Sequence, residues 1–121
     1  MNFASDNAAG IAPQILAAIS RANAGAALAY GHDAWTRRVE TRFAEIFARD
    51  VAVFLVPTGT AANALALAHL TPPWGAVLCH HEAHIATDEC GAPEFFGGGI
   101  KLVGLAGQAG KIGRASCRER V

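Results

Sequence analysis

Hydrophobic residues recur along this chain first with a helical period, then in short unbroken runs. In "APQILAAISRANAG", residues 12–25, Ile15, Leu16 and Ile19 fall on one helical face. Pro13 sits where a first turn tolerates it and Gly25 supplies a stop, which predicts a short helix. Residues 26–34 keep no period and contain Gly31 and Asp33, so they read as a loop. From Trp35 to Ala48, Val39, Phe43, Ile46 and Phe47 recur at offsets of three and four, with Arg37, Arg38, Glu40, Arg42 and Glu45 over the remaining surface. That is a second helix with one packed face and one wet face. Val51–Val56 is then a near-continuous apolar, β-branched run, suited to a central parallel strand buried on both faces. Ala61–Leu70 returns to helical composition and ends before Pro72-Pro73. Gly75–Cys79 and Ile100–Val103 read as two further buried strands, separated by a polar to helical segment from His80 to Phe96.

Strand, helix, strand, helix, strand describes an α/β layer with a parallel sheet, in which ligands sit at the carboxyl ends of the strands. Pro57–Thr60 and His80–His84 both follow expected strand ends and are therefore expected to line one crevice. Three strands make a poor complete domain, because a parallel sheet needs cover on both faces and its last strand here would be an exposed edge. A truncated domain is the expectation.

Composition narrows the partners. Lys+Arg and Asp+Glu both number 10, so no net field gathers nucleic acid, and no basic cluster interleaved with aromatics occurs in residues 1–110. No stretch approaches the roughly eighteen uninterrupted apolar residues of a membrane span, and "MNFASDNAAG" lacks the basic and apolar regions of a leader. Cys79, Cys90 and Cys117 are too few and too irregular for a disulfide framework, and read as free thiols of a cytoplasmic protein. The last ten residues, "IGRASCRERV", break from the rest: three of them are Arg, against five Arg in residues 1–111. Back-translated as ATC GGA AGA GCG TCG TGT AGG GAA AGA GTG, they resemble a common short-read sequencing adapter. Residues 112–121 are accordingly expected to be read-through rather than native, leaving residues 1–111 with two more acidic than basic side chains.

Two constellations carry chemistry. Between an expected strand and an expected helix, Thr58-Gly59-Thr60 would aim free backbone N–H groups and hydroxyls at one point, with Thr60 expected to cap the helix. No Lys follows Gly59, so a single phosphate monoester, of which pyridoxal phosphate is one, suits the turn better than a triphosphate. "CHHEAHIATDEC", residues 79–90, concentrates three histidines, three carboxylates and two cysteines. His80 and His84 are four apart, but the zinc-protease pattern wants Glu directly after the first His, and here Glu82 follows His81. The spacing leaves three readings for each histidine: a metal ligand, a satisfied structural residue, or a flat ring stacked on a planar cofactor and handling a proton near neutral pH. Ser5-Asp6-Asn7 and Tyr30-Gly31-His32-Asp33 read as turns by themselves.

Taken together, "FASDNAAGIAP", "AYGHDAWTRRVE", "FLVPTGTAANALALA" and "HEAHIATDECGAPEFFGGGIKL" resemble, in order and spacing, the amino-terminal part of low-specificity threonine aldolases, within the β-eliminating lyase group of pyridoxal-phosphate enzymes. The resemblance spans nearly all of residues 2–111. It implies part of an aspartate-aminotransferase-like, type I pyridoxal-phosphate large domain, in a homodimer or homotetramer whose active sites borrow residues from neighbours. It implies that Gly59 and Thr60 bind the cofactor phosphate, that His84 stacks on the pyridine ring and is a candidate base, and that Ser5 helps hold the substrate carboxylate. Tyr30 would line a site across the subunit interface, Glu89 would lie near the cofactor, and Asn63 would support the helix start. The implied reaction takes a β-hydroxy-α-amino acid such as threonine, through an imine with the cofactor, to glycine and an aldehyde. The family's Schiff-base lysine lies downstream and neither Lys101 nor Lys111 matches it, so this chain alone is expected to be inactive. A related pyridoxal-phosphate lyase or aminotransferase, and a non-catalytic phosphate- or metal-binding module, are the alternatives.

Overall fold

A computed structural model describes residues 8–113, and the chain divides between Phe54 and Leu55 into two compact units. In the first, α1 spans Pro13–Ala22 and opens on proline, whose fixed φ suits a first turn and whose missing N–H is not needed there. Ile15, Leu16 and Ile19 share one face of α1 and are exposed. The connection ends in two successive left-handed residues, Tyr30 at φ 60° and Gly31 at φ 81°. Helix α2, Ala34–Phe47, is N-capped by Asp33, which accepts from the Thr36 backbone N–H at 2.8 Å and from the Thr36 hydroxyl at 2.7 Å. These bonds hold the Asp33 carboxyl below its usual range. Phe43 and Phe47 stack along α2 with ring centroids 6.3 Å apart, and Ala48 closes the helix in the left-handed conformation.

The second unit holds α3 (Gly59–Leu70), β1 (Ala76–His80), α4 (His84–Thr87), α5 (Ala92–Phe96) and β2 (Lys101–Leu105). Strands β1 and β2 pair in parallel, Ala76 opposite Lys101 through His80 opposite Leu105, and the two short helices form the crossover that a parallel pair requires. Helix α3 packs on α5. Ala64 of α3, Cys79 of β1, Ile100 and Leu105 around β2, and Pro93 of α5 make the buried centre of this unit. After β2 the chain folds back through Ala109-Gly110, both with positive φ, closing a bridge between Gln108 and Lys111.

The expected strand at Val51–Val56 does not form. A strand exists only through hydrogen bonds to a neighbour, and among the described residues this run has none; Phe54 is 83% exposed instead of buried. The sheet therefore has two strands where three were expected. Both helices of the first unit and the two strands of the second otherwise stand within about two residues of their sequence-based limits, an offset ordinary for element ends. Residues 114–121, with Cys117 and most of the adapter-like segment, and Ser5 near the start, lie outside the described residues. No described helix is long and apolar enough to cross a membrane.

Candidate functional site

Helix α3 and its cap begin two residues earlier than the sequence reading placed them. Thr58, not Thr60, is the N-cap: its backbone is extended, and its hydroxyl accepts from the Ala61 N–H at 3.1 Å. The Thr58 carbonyl accepts from Ala62 at 3.2 Å. Gly59 and Thr60 are thus the first two helical residues, whose N–H groups have no intrahelical acceptor by construction. They point along the positive end of the helix dipole, the direction from which an anion is held. A methyl group built on Gly59 would meet nothing within 4 Å, so space stands open beside this turn.

One turn further along α3, Asn63 reaches out of an otherwise apolar stretch. Its side-chain amide donates to Glu89 Oε1 at 2.6 Å, across 26 residues of sequence. His84, the first residue of α4, meets the same oxygen through Nδ1 at 2.8 Å. The Glu89 side chain is fully buried, while that of His84 is 66% exposed. Asn63 first, then the hydrogen bond and charge of His84, hold the Glu89 carboxyl below its usual range in spite of burial. An ionised carboxylate can only accept, so Nδ1 of His84 carries the hydrogen and the Asn63 amide presents its NH2 group. The Nε2 atom of His84 is then the nitrogen left to accept or pass on a proton. Glu89 Oε2 is buried without a hydrogen-bond partner among the described residues.

The structure therefore brings His84 and Glu89 together and links both to the helix that carries Gly59 and Thr60. Asn63, expected to support the helix start, instead links the two segments. The signal in the sequence was a lone amide within "AANALALA", where no helix-surface pattern calls for one. Tyr30 lies in the other unit; it is 97% exposed and held in the left-handed region, which costs a bulky side chain free energy.

Other polar groups of this unit stand outside the His84–Glu89–Asn63 series. Donor atoms of His80, His81 and Glu82 lie within 4.8 Å of one another. However, His80 Nδ1 accepts from the Glu82 N–H at 3.1 Å, so its lone pair is engaged and its hydrogen sits on the buried Nε2. His81 Nδ1 bonds the Leu105 carbonyl at 3.2 Å and its ring stacks on His80 at 4.3 Å. Cys79 and Cys90 are free; burial, then the charge of Glu94, pushes the Cys79 thiol up and keeps it protonated. A hollow of about 530 Å³ along α2, lined by Trp35, Arg38 and Glu45 among others, includes none of the expected site residues.

The sequence profile of the beta-eliminating lyase family matches residues 2–121. Two low specificity L-threonine aldolases, from a Pseudomonas species and from Pseudomonas aeruginosa, are each 49% identical over 117 residues, covering 97% of this chain. The chain spans about a third of their length, 34% in each case. Among solved structures, a threonine aldolase of Leishmania major superposes with a TM-score of 0.83 at 30% identity, covering 93% of this chain and 32% of that one.

Proposed function

Because the chain belongs to the beta-eliminating lyase family, we propose that it is the amino-terminal part of a threonine aldolase, a pyridoxal-phosphate lyase that splits β-hydroxy-α-amino acids such as threonine into glycine and an aldehyde. The observation that carries this reading is the hydrogen-bonded series His84–Glu89–Asn63, which joins a titratable imidazole to the helix whose first turn offers free N–H groups. Its fold is the α/β layer of the Leishmania major neighbour, within the aspartate-aminotransferase type of large domain.

The residues present fit the cofactor. The N–H groups of Gly59 and Thr60, with the Thr60 hydroxyl, would hold its phosphate in the open space beside Gly59. Bound pyridoxal phosphate supplies the electron sink for the pair released when the Cα–Cβ bond breaks. His84 would lie against the cofactor ring with its exposed imidazole, and its Nε2 would take the proton of the substrate β-hydroxyl or order the water that takes it. Glu89 keeps the hydrogen of His84 on Nδ1, so that Nε2 is the basic atom. Ser5 would help hold the substrate carboxylate. Tyr30, presented outward in a strained conformation, would reach the active site of a neighbouring subunit in a cytoplasmic homodimer or homotetramer. The activity belongs to the full-length protein, since neither Lys101 nor Lys111 matches the lysine that anchors the cofactor in this family; residues 112–121 are read as adapter-derived.

The test is product analysis with the full-length protein and pyridoxal phosphate. Threonine should yield glycine and acetaldehyde in equal amounts. Release of a keto acid with the cofactor converted to its amine would make it an aminotransferase instead, and no reaction with threonine or its β-epimer would end the reading.

A further inference from the structure

Glu89 is the buried centre of the site but does not belong to a regular element: it sits in the bend between α4 and α5, followed by Cys90 and Gly91, both with positive φ. A carboxylate on such a bend has no rigid frame of its own. The frame comes from α3, a helix of 12 residues, through a hydrogen bond of 2.6 Å from Asn63 to the same oxygen that receives His84.

We infer that Asn63 is a positioning residue: its amide fixes Glu89, and through Glu89 it sets which nitrogen of His84 is protonated and where the imidazole stands relative to the phosphate-binding turn of α3. This rests on the reading of the site given above. Asn63 lies four residues after Gly59 on the same helix, so the turn proposed to take the phosphate and the donor that locks Glu89 move as one body. Charge supports the arrangement. Two donors converge on one oxygen of a carboxylate removed from water, and with Asn63 deleted a single histidine N–H would be left to satisfy it. Glu89 would then turn toward solvent or take up a proton, and His84 would lose the acceptor that selects its Nδ1–H form. Asn63 itself need not touch substrate.

The experiment uses the full-length protein with 15N-labelled histidine, studied by NMR without cofactor at mildly alkaline pH, where an imidazole is neutral. The His84 signals, assigned by their loss in His84→Asn, should show a protonated Nδ1 and a bare Nε2. In Asn63→Ala that pattern should give way to a mixture of both tautomers. In the cofactor-loaded enzyme kcat for threonine cleavage should fall about ten- to a hundredfold, the range of a lost hydrogen bond to a charged group, with KM changed less than about twofold. Asn63→Leu, close in shape and without any donor, should lose the pattern equally and decides the matter where the alanine variant does not fold. An unchanged tautomer and kcat in the leucine variant overturn the inference. A wild-type protein that binds no pyridoxal phosphate overturns the functional reading and leaves the tautomer measurement to judge Asn63 alone.

Discussion

A single oxygen, Glu89 Oε1, receives the amide of Asn63 and the imidazole of His84, and its charge is what both donors require. A carboxyl whose pKa is lower folded than unfolded stabilises the fold above its unfolded value, and that contribution is lost as the pH falls through the folded value. Glu89 is such a group. Denaturation midpoints of the full-length protein and of Glu89→Gln should therefore differ most at neutral pH and converge in acid, below the usual carboxylate range. His84→Phe keeps a flat ring but removes the proposed proton carrier, so kcat should drop by about 10²- to 10⁴-fold while cofactor binding, read by absorbance, is largely kept. Gly59→Ala separates folding from binding: the added methyl meets no protein atom and alanine favours helix, so thermal stability should hold or rise slightly. The same methyl would stand in the approach of a phosphate, so affinity for pyridoxal phosphate should fall in a titration.

At the scale of elements, the first turn of α3 depends on Thr58. Replacing its hydroxyl acceptor by Thr58→Ala should destabilise the helix by about 1 kcal/mol, visible as a lowered denaturation midpoint, and Thr58→Ser should restore it. Much of this level was legible in the sequence. The periods of Ile15, Leu16 and Ile19, and of Val39, Phe43, Ile46 and Phe47, marked α1 and α2 because helical spacing is a local property. Strand formation is not local. Val51–Val56 has the composition of a buried strand but acquires no ladder, because a partner cannot be read from the run itself. Thr58-Gly59-Thr60 and the histidine-rich segment around His84 were visible as motifs, and Glu89 as an acidic position within that segment. The bond from Asn63 to Glu89 was not visible, since it joins residues 26 apart that only the packing of α3 beside the crossover brings together.

For the whole molecule, large apolar side chains stand in the open: Leu65 and Leu70 on α3, Trp74 beyond it, Phe95 and Phe96 on α5, and Ile15, Leu16 and Ile19 on α1. Surface of this kind marks where further protein packs. The 121-residue chain expressed by itself should bind a hydrophobic dye and self-associate in light scattering, whereas the full-length protein should do neither. Sequencing the source DNA across codon 111 checks the other whole-chain expectation: the reading frame should continue without "IGRASCRERV". The pairing of β1 with β2 bears also on how the molecule comes to be folded. Each pair in that ladder, from Ala76–Lys101 to His80–Leu105, is separated by 25 residues, so no hairpin can start it. The intervening loop must be closed, at an entropic cost, before the first strand-to-strand contact offsets it. That loop contains His84, Glu89 and Cys90, so on a growing polypeptide these residues are synthesised before the sheet can exist and are brought into order by its closure. Substitutions that loosen the crossover should accordingly slow refolding more than they hasten unfolding.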